Sequence, residues 1–192
     1  MKKLSLSLAL LLIAASWQVV ADDKKKDDKG AKSDAVKTEA ASINTIKLDI
    51  PTTWEKETPR GLGRVAQYKV PLAEGDEKGE IVFYVSQFGG PAGGGSVDAN
   101  IERWKKQFKD AEDPKTDKFD VGEFKIHTLD ISGTYLGGPG SAGGETPDYR
   151  LMAAVVETKS DGKYFVRLAG SKKSVGAQAD HFNKVLKSIK AN

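Results

Sequence analysis

Two runs of consecutive apolar residues constrain the fold of this chain more than any other feature. Residues 81–85 read IVFYV and residues 151–156 read LMAAVV. Because side chains along a strand point alternately to its two faces, each run needs a covering layer on both faces of a sheet. Asp161-Gly162, which follows the second run, suits the positive φ angles of a tight hairpin turn. Together these features predict a central, mainly antiparallel sheet with a layer on each side.

Further strands are indicated by apolar residues that alternate with polar ones and by turn residues between the segments. Ile46, Leu48 and Ile50, for example, alternate with charged residues. Residues 110–118, DAEDPKTDK, are so highly charged that they are expected to be a connection. Strands are expected over residues 46–50, 64–70, 80–88, 119–134, 149–158 and 164–169, the fourth with a break near Gly122.

Two amphipathic segments predict helices, because their apolar residues recur at spacings of three and four. The first helix is expected to begin after Ser96, whose hydroxyl suits an N-cap, and the second to span residues 173–189. The apolar stripe of the first helix is formed by Val97, Ile101, Trp104 and Phe108. The expected order is βββαβββα, an α+β fold arranged as an α/β/α sandwich: a mainly antiparallel six-stranded sheet with a helix on each face.

The N-terminus has the pattern of a secretory signal peptide. Lys2 and Lys3 precede an apolar run over residues 4–15, and small or compact residues lead up to Ala21. The run is shorter than the roughly 20 apolar residues of a membrane span. Residues 1–21 are therefore expected to be removed near Ala21, which leaves an exported protein, periplasmic or secreted, with no membrane anchor in the mature chain.

Residues 22–42 are predicted to be a disordered linker. The stretch from residue 22 to residue 41 contains six lysines, six acidic residues, one valine and no aromatic residue. Such a segment cannot bury enough apolar surface to offset the entropy lost on ordering. The folded domain is therefore expected over residues 43–192.

Charge and cysteine content exclude several kinds of function. The formal net charge is +3, but residues 1–21 contain two lysines and no acidic residue, which leaves 28 basic and 27 acidic side chains after cleavage. A nearly neutral protein has little attraction for phosphate backbones or anionic lipid, so nucleic acid is not expected as a partner. The chain has no cysteine, which excludes disulfides and thiol chemistry.

A glycine-rich segment, residues 89–96, is the candidate ligand or partner site. It precedes a helix, where free amide groups and the helix dipole favour an anion, and the candidate residues are Gly93, Gly94, Gly95 and Ser96. No P-loop lysine and no Gly-x-Gly-x-x-Gly spacing accompany it, so a surface loop that contacts a partner is the alternative. A second glycine-rich segment spans residues 136–148, and a site is expected if both segments border one cleft.

No catalytic or metal-binding constellation stands out. His127 and His181 are far apart in a chain without cysteine, so zinc is not expected. The acidic residues between 110 and 120 lack the order of a calcium-binding loop. Ser132 has no activating motif around it. A catalytic pair of carboxylates among Asp148, Glu157 and Asp161 stays an open possibility, because the sequence does not give the distances between them. No cofactor is expected, and the chain is predicted to be non-enzymatic.

Residues 46–189 resemble the PsbP-like fold. The resemblance rests on the order of elements, on NIERWKKQF at 100–108, on DISGTY at 130–135, and on the final hairpin and helix from Tyr164 onward. This fold is found in an extrinsic photosystem II subunit, in a Ran-binding nuclear import factor and in exported bacterial proteins, and the chain is most similar to the last group. No residues match a photosystem-docking or Ran-binding surface.

The resemblance implies a scaffold or binding role. The chain is therefore expected to be an exported, non-enzymatic binding or assembly-assisting module whose partner is an unidentified envelope protein. The alternative is a binder of a small anion or ligand that uses residues 89–96 and the start of the first helix.

Overall fold

The computed structural model describes residues 36–77, 79–90, 93–137, 144–159 and 161–192, which form ten strands and three helices. The predicted signal peptide and residues 22–35 of the predicted linker lie outside the described residues. The strands are β1 (Thr38–Ile43), β2 (Ile46–Pro51), β3 (Glu55–Glu57), β4 (Arg64–Val70), β5 (Ile81–Gln87), β6 (Phe108–Val121), β7 (Phe124–Tyr135), β8 (Thr146–Glu157), β9 (Lys163–Ser171) and β10 (Lys190–Ala191). The helices are α1 (Val97–Lys105), α2 (Lys172–Ala177) and α3 (Ala179–Lys187).

The strands form two antiparallel sheets. The larger has seven strands in the order β3-β4-β5-β9-β8-β7-β6, and the smaller has the order β1-β2-β10. The prediction of a mainly antiparallel α+β fold is confirmed, but the prediction of a single six-stranded sheet is wrong. The additional strands lie in short or highly charged segments, where the pattern of apolar residues is too weak to indicate a strand.

Strand β6 is the largest departure from the predicted order of elements. It contains residues 110–118, which were expected to be a connection. The strand lies at the edge of the larger sheet and pairs only with β7 among the described strands. Charged side chains are favourable there because one side of an edge strand faces solvent, and they discourage pairing with another chain. Asp110 and Asp113, with φ angles of 52° and 28°, coincide with two shifts in the register of pairing.

The folded part of the chain includes residues 38–42, which the composition places in the linker. Thr38–Ile43 pairs with β2 over its whole length, from Thr38 opposite Pro51 to Ile43 opposite Ile46. Ile43 is buried and Ala41 is partly buried against the same core. Tertiary packing of these two apolar residues therefore extends the sheet into a segment that has a polar composition.

Two hydrophobic cores lie on opposite faces of the larger sheet. Successive residues of β8 face the two cores in turn. Met152, Ala154 and Val156 face core 1, whereas Leu151, Ala153 and Val155 face core 2. Core 1 also contains apolar residues of β2, α2 and α3. Core 2 contains Trp104 of α1 and Phe165 of β9. Helices therefore cover both faces, as the two apolar runs predict.

Both predicted helices are shorter than expected. Helix α1 ends at Lys105, so Phe108 of the predicted stripe is the first residue of β6. The predicted C-terminal helix is divided into α2 and α3 at Gln178, whose φ and ψ angles are −102° and 2°. The side chain of Gln178 accepts a hydrogen bond from the indole of Trp54 at 3.2 Å, a tertiary contact that helical periodicity does not predict. None of the described helices has the length and apolar composition needed to cross a lipid bilayer.

Candidate functional site

The predicted site residues Gly93–Ser96 lie directly before α1. Ser96 Oγ accepts a hydrogen bond from the Ala99 amide at 3.2 Å, which confirms Ser96 as the N-cap. The buried side chain of Asn100 donates to the carbonyl oxygens of Gly94 and Ser96, both at 2.7 Å. These bonds hold the segment against the helix that follows it.

We expect Gly94→Ala to lower the free energy of unfolding by at least about 2 kcal/mol. Gly94 has a φ angle of 78°, and a Cβ atom there would lie 2.4 Å from the ring of Phe165. The substitution combines backbone strain with overpacking, each of which costs about 1–3 kcal/mol. Urea denaturation followed by circular dichroism measures the loss. Gly122→Ala is the control, because Gly122 has a φ angle of 58° but no atom within 4 Å of the added Cβ. Equal losses in the two variants would contradict the predicted contact with Phe165.

The described parts of the two glycine-rich segments lie at opposite ends of α1. Gly93–Ser96 precede the helix, whereas the amide of Leu136 donates to the carbonyl oxygen of Gln107, just beyond the helix C-terminus, at 2.8 Å. A helix of nine residues is about 13 Å long. These described parts are therefore separated by about the length of this helix. Residues 138–143 lie outside the described part of the chain.

The other residues considered for catalysis or metal binding are dispersed. His127 Nε2 lies 2.9 Å from Glu157 Oε1, and His181 Nδ1 lies 2.9 Å from Gln178 Oε1. Asp148 and Glu157 lie near opposite ends of β8, about 30 Å apart at the usual rise per residue of a strand. Within the described ranges, no group of three or more His, Cys, Asp or Glu side chains lies close enough to hold a metal ion.

A different site is formed by a cleft of about 160 Å³ on the core 2 face of the larger sheet. Its walls come from four neighbouring strands, from the start of β4 and from the residues after α1. We call it the arginine–tyrosine cleft, after the side chains that dominate it. The polar residues that line it include Arg64, Tyr84, Gln107, Tyr135, Tyr149 and Arg167.

The alternation of side chains along β5 and β9 directs the polar residues into this cleft. Phe83 on β5 and Val166 on β9 face core 1, so their neighbours Tyr84 and Arg167 face the other side of the sheet. Tyr84 and Arg167 are directly opposite each other in the pairing of the two strands. Arg64 reaches the same face at the start of β4, where the register shifts between Arg64 and Ala66.

Two arginines converge on Tyr84. The guanidinium carbon of Arg64 lies 3.9 Å from the centroid of the Tyr84 ring. Arg167 donates from Nη1 to the Tyr84 hydroxyl at 3.0 Å, and its guanidinium carbon lies 4.5 Å from the centroid of the Trp104 ring. Both stacked contacts are within the range of about 6 Å in which a cation is attracted to an aromatic face. The aromatic rings therefore hold two positive charges close together.

Neither cleft arginine is paired with a carboxylate among the described residues. Arg64 donates to Gln67 Oε1 at 2.7 Å, and Arg167 donates to Tyr84. Arg103, on α1, hydrogen-bonds to Asn100, and its pKa is lowered by burial and by the positive charge of Arg167. Two hydrogen bonds, in contrast, join Arg150 to Asp130, at 2.8 Å and 2.6 Å.

The opposite wall of the cleft is a stacked pair of tyrosines. The rings of Tyr135 and Tyr149 lie 4.7 Å apart at an angle of 16°. Burial raises the pKa of both phenols above the ordinary value of 10, and for Tyr149 the neighbouring Tyr135 adds to the shift. Both hydroxyls are therefore protonated at neutral pH and can donate. Beside them the buried Oε1 of Gln107 has no hydrogen-bond partner among the described residues.

Tyr149 gives a testable pH dependence. Because its pKa is higher in the folded chain than the ordinary value of 10, the folded state holds the proton more tightly than the unfolded state. This contribution to stability is present below about pH 10 and is lost as the pH rises above it. We expect the unfolding free energy to fall more steeply between about pH 10 and pH 12 in the wild type than in Tyr149→Phe. Parallel curves in urea titrations would contradict this effect.

No local sequence motif marks Arg64, Tyr84 or Arg167. One signal was present, because Arg167 interrupts an otherwise apolar strand, residues 164–169. A charged residue within such a strand indicates a specific polar environment on one face of the sheet. The two arginines and Tyr84 come together only through strand pairing over about a hundred residues of chain, which the sequence pattern does not show.

No protein-family model matches the chain, and no curated protein matches it in sequence. Among solved structures, cyanobacterial PsbP (CyanoP) from Synechocystis sp. PCC 6803 is 12% identical, with a TM-score of 0.52 over 84% of this chain and 96% of that chain. PA94 from Pseudomonas aeruginosa, a protein of unknown function, is 13% identical, with a TM-score of 0.47 over 79% and 94%. The Saccharomyces cerevisiae Ran-binding protein Mog1p is 7% identical, with a TM-score of 0.47 over 81% and 96%. The similarity to CyanoP shows that this chain has a PsbP-like fold.

Proposed function

We propose that this chain is an exported, non-enzymatic binding protein and that the arginine–tyrosine cleft is its binding surface for an anion. The observation that carries the proposal is the convergence of Arg64 and Arg167 on Tyr84, with no carboxylate partner among the described residues. Partly buried positive charges repel each other and are unfavourable unless an opposite charge compensates them. An anion held between the arginines supplies that charge. Export is supported by the N-terminal sequence pattern.

The chemistry of the cleft supports binding rather than catalysis. A general acid or base works best when its pKa lies near the operating pH. The pKa of Tyr149 is instead raised above 10, away from neutral pH, and arginine stays protonated. Glu80, at the margin of the cleft, is exposed to solvent. The described lining residues include no histidine, serine or threonine to act as a base or nucleophile.

A second candidate function is that of an assembly-assisting module that binds an envelope protein. Leu62 is 89% exposed, and it lies two residues before Arg64. Leu136, next to Tyr135, is 42% exposed. Arginine and tyrosine are enriched in the residues that dominate protein interfaces, and exposed leucines add apolar contact area. Anion binding at Gly93–Ser96 is the other alternative, and the experiment below separates it from the cleft.

Calorimetric titration of the full chain with acetate, glycolate and phosphate at low salt tests the proposal. We expect Arg64→Ala/Arg167→Ala to weaken binding at least about tenfold, since hydrogen bonds to a charged group contribute about 1.5–3 kcal/mol each. Arg60→Ala removes one positive charge outside the cleft lining and is expected to bind almost like the wild type. Arg64→Lys/Arg167→Lys keeps the charges and should recover part of the affinity.

Each variant is first shown to be folded by its circular dichroism spectrum and melting temperature. Ser96→Ala addresses the alternative site, because Ser96 caps α1 and lies outside the cleft lining. Loss of binding in Ser96→Ala with full binding in the arginine double variant would contradict the cleft. Absence of anion binding to the wild type would contradict the proposed function as a whole.

A further inference from the structure

Resting on that proposed function, we infer that the ligand of the arginine–tyrosine cleft is a small dicarboxylate, with one carboxylate for Arg64 and one for Arg167. Three properties of the cleft lead to this class of compound: the uncompensated charge of its arginines, their position on either side of Tyr84, and a row of apolar residues beside them. A monocarboxylate would leave one of the two arginines without a counter-charge.

The cleft carries two positive charges that its own residues do not compensate. Arg64 donates to the neutral amide oxygen of Gln67, and Arg167 donates to a tyrosine hydroxyl. Glu57 accepts from the opposite end of that amide at 2.9 Å, so the Gln67 side chain bridges Glu57 and Arg64. Glu80, at the margin of the cleft, is exposed, and solvent screens its charge. A ligand with two negative charges therefore compensates both arginines, whereas a single charge compensates one.

The two arginines lie on either side of Tyr84. Arg64 is on β4 and Arg167 is on β9, the two strands that flank β5 in the larger sheet. At the usual spacing of strands, the backbones of β4 and β9 are about 10 Å apart. The Arg64 guanidinium stacks on the Tyr84 ring, whereas that of Arg167 donates to the tyrosine hydroxyl. Each guanidinium uses one of its five N–H groups within the described chain, so each can bind a separate planar carboxylate through the others.

A row of apolar residues on the same face favours a ligand with a carbon chain. Val82 is directly opposite Ala169, which is directly opposite Leu151, and all three line the cleft. Because Tyr84 is two residues from Val82 on β5, this row lies on the same face of the sheet as the tyrosine. Its apolar contacts favour the methylene groups of an organic acid over an inorganic dianion. The cleft volume of about 160 Å³ is below the roughly 300–1,000 Å³ of pockets for drug-sized molecules, which limits the acid to a few carbon atoms.

The test is calorimetric titration of the full chain with three matched pairs of acids at low salt and about pH 8, where carboxyl groups are ionised. Malonate, succinate and glutarate each carry two carboxylates, and the monoamide of each has the same length and one charge fewer. For at least one pair, we expect the dicarboxylate to bind at least about fivefold more tightly than its monoamide, a difference of about 1 kcal/mol. Methyl phosphate, which carries both charges on one group, is the additional probe.

Single arginine variants show whether both charges of the cleft are needed. In Arg64→Gln and in Arg167→Gln we expect the preference for the dicarboxylate to fall below about twofold, because one carboxylate loses its cation. Arg60→Gln is the matched control, since it removes one positive charge outside the cleft lining and should keep the preference. Circular dichroism first shows that each variant is folded, and either folded cleft variant is sufficient for the test.

Each remaining result would overturn part of the inference. Equal binding of dicarboxylate and monoamide in all three pairs, or a preference that persists in the cleft variants, would overturn the pairing of two carboxylates with two arginines. An equally large loss of preference in Arg60→Gln would assign the preference to net charge instead of the cleft. Tighter binding of methyl phosphate than of every dicarboxylate would overturn the class of acid. In all these cases an anion still binds, and only failure of every probe to bind the wild type contradicts the proposed function itself.

Discussion

Replacing Trp104 with alanine is expected to lower the free energy of unfolding by about 3–5 kcal/mol, which is typical of truncating a large buried aromatic residue. Trp104 is fully buried, and its ring meets that of Phe165 edge-on, with centroids 6.3 Å apart. It is the buried apolar residue of α1, and its side chain packs in core 2. The truncation therefore removes the main contact between the helix and the sheet.

Trp104→Phe is the matched variant, because it keeps an aromatic ring in core 2 and should recover much of the lost stability. Urea denaturation followed by circular dichroism is the measurement, since the substitution also removes a fluorophore. Trp104→Ala should in addition weaken glycolate binding, because the ring supports the guanidinium of Arg167. A loss of stability below about 1 kcal/mol would mean that α1 does not depend on this contact.

Phe83→Ala is expected to have an effect of similar size, about 3–5 kcal/mol, on the opposite face of the sheet. Phe83 is fully buried in core 1, with ring centroids 4.9 Å from Trp54, 6.0 Å from Tyr68 and 6.3 Å from Phe182. These contacts join β5 to the turn after β2, to β4 and to α3. The cavity left by the substitution would therefore loosen several elements at once.

The two truncations are distinguished by binding. Phe83 faces core 1, whereas the cleft lies on the core 2 face, so the folded fraction of Phe83→Ala should bind glycolate with nearly the affinity of the wild type. Phe83→Leu, which keeps most of the apolar volume, should lose clearly less stability than Phe83→Ala. Urea titrations and calorimetry measure both effects. A binding loss in Phe83→Ala as large as that in Trp104→Ala would contradict the separation of the two faces.

The central strands were predictable because apolar residues at consecutive positions of a strand must be buried on both faces of the sheet. Residues 81–85 and 151–156 are apolar in every position, and both lie in the interior of the larger sheet. The edge strand β6 was not predictable, because charges that suit an exposed edge also suit a loop. The break at Gln178 depends on a tertiary hydrogen bond with Trp54.

The candidate site was less predictable than the fold. Gly93–Ser96 stood out through composition and helix position, which are local properties of the sequence. The cleft instead depends on Tyr84 lying opposite Arg167, and this pairing joins strands that are far apart in the chain. The alternation of side chains along a strand predicts which face of the sheet a residue lies on, but it does not predict which strand pairs with that strand. Local patterns therefore pointed to the loop and missed the arginines.

The most direct test of the binding account is nuclear magnetic resonance of the arginine side chains in the full chain during titration with glycolate. The chain has five arginines, so their Nε–Hε signals can be assigned by single substitutions. We predict saturable shifts of the Arg64 and Arg167 signals, with those of Arg60 and the Asp130-bound Arg150 almost unchanged. Equal shifts of all five signals, or saturable shifts confined to the backbone amides of residues 93–99, would contradict binding in the arginine–tyrosine cleft.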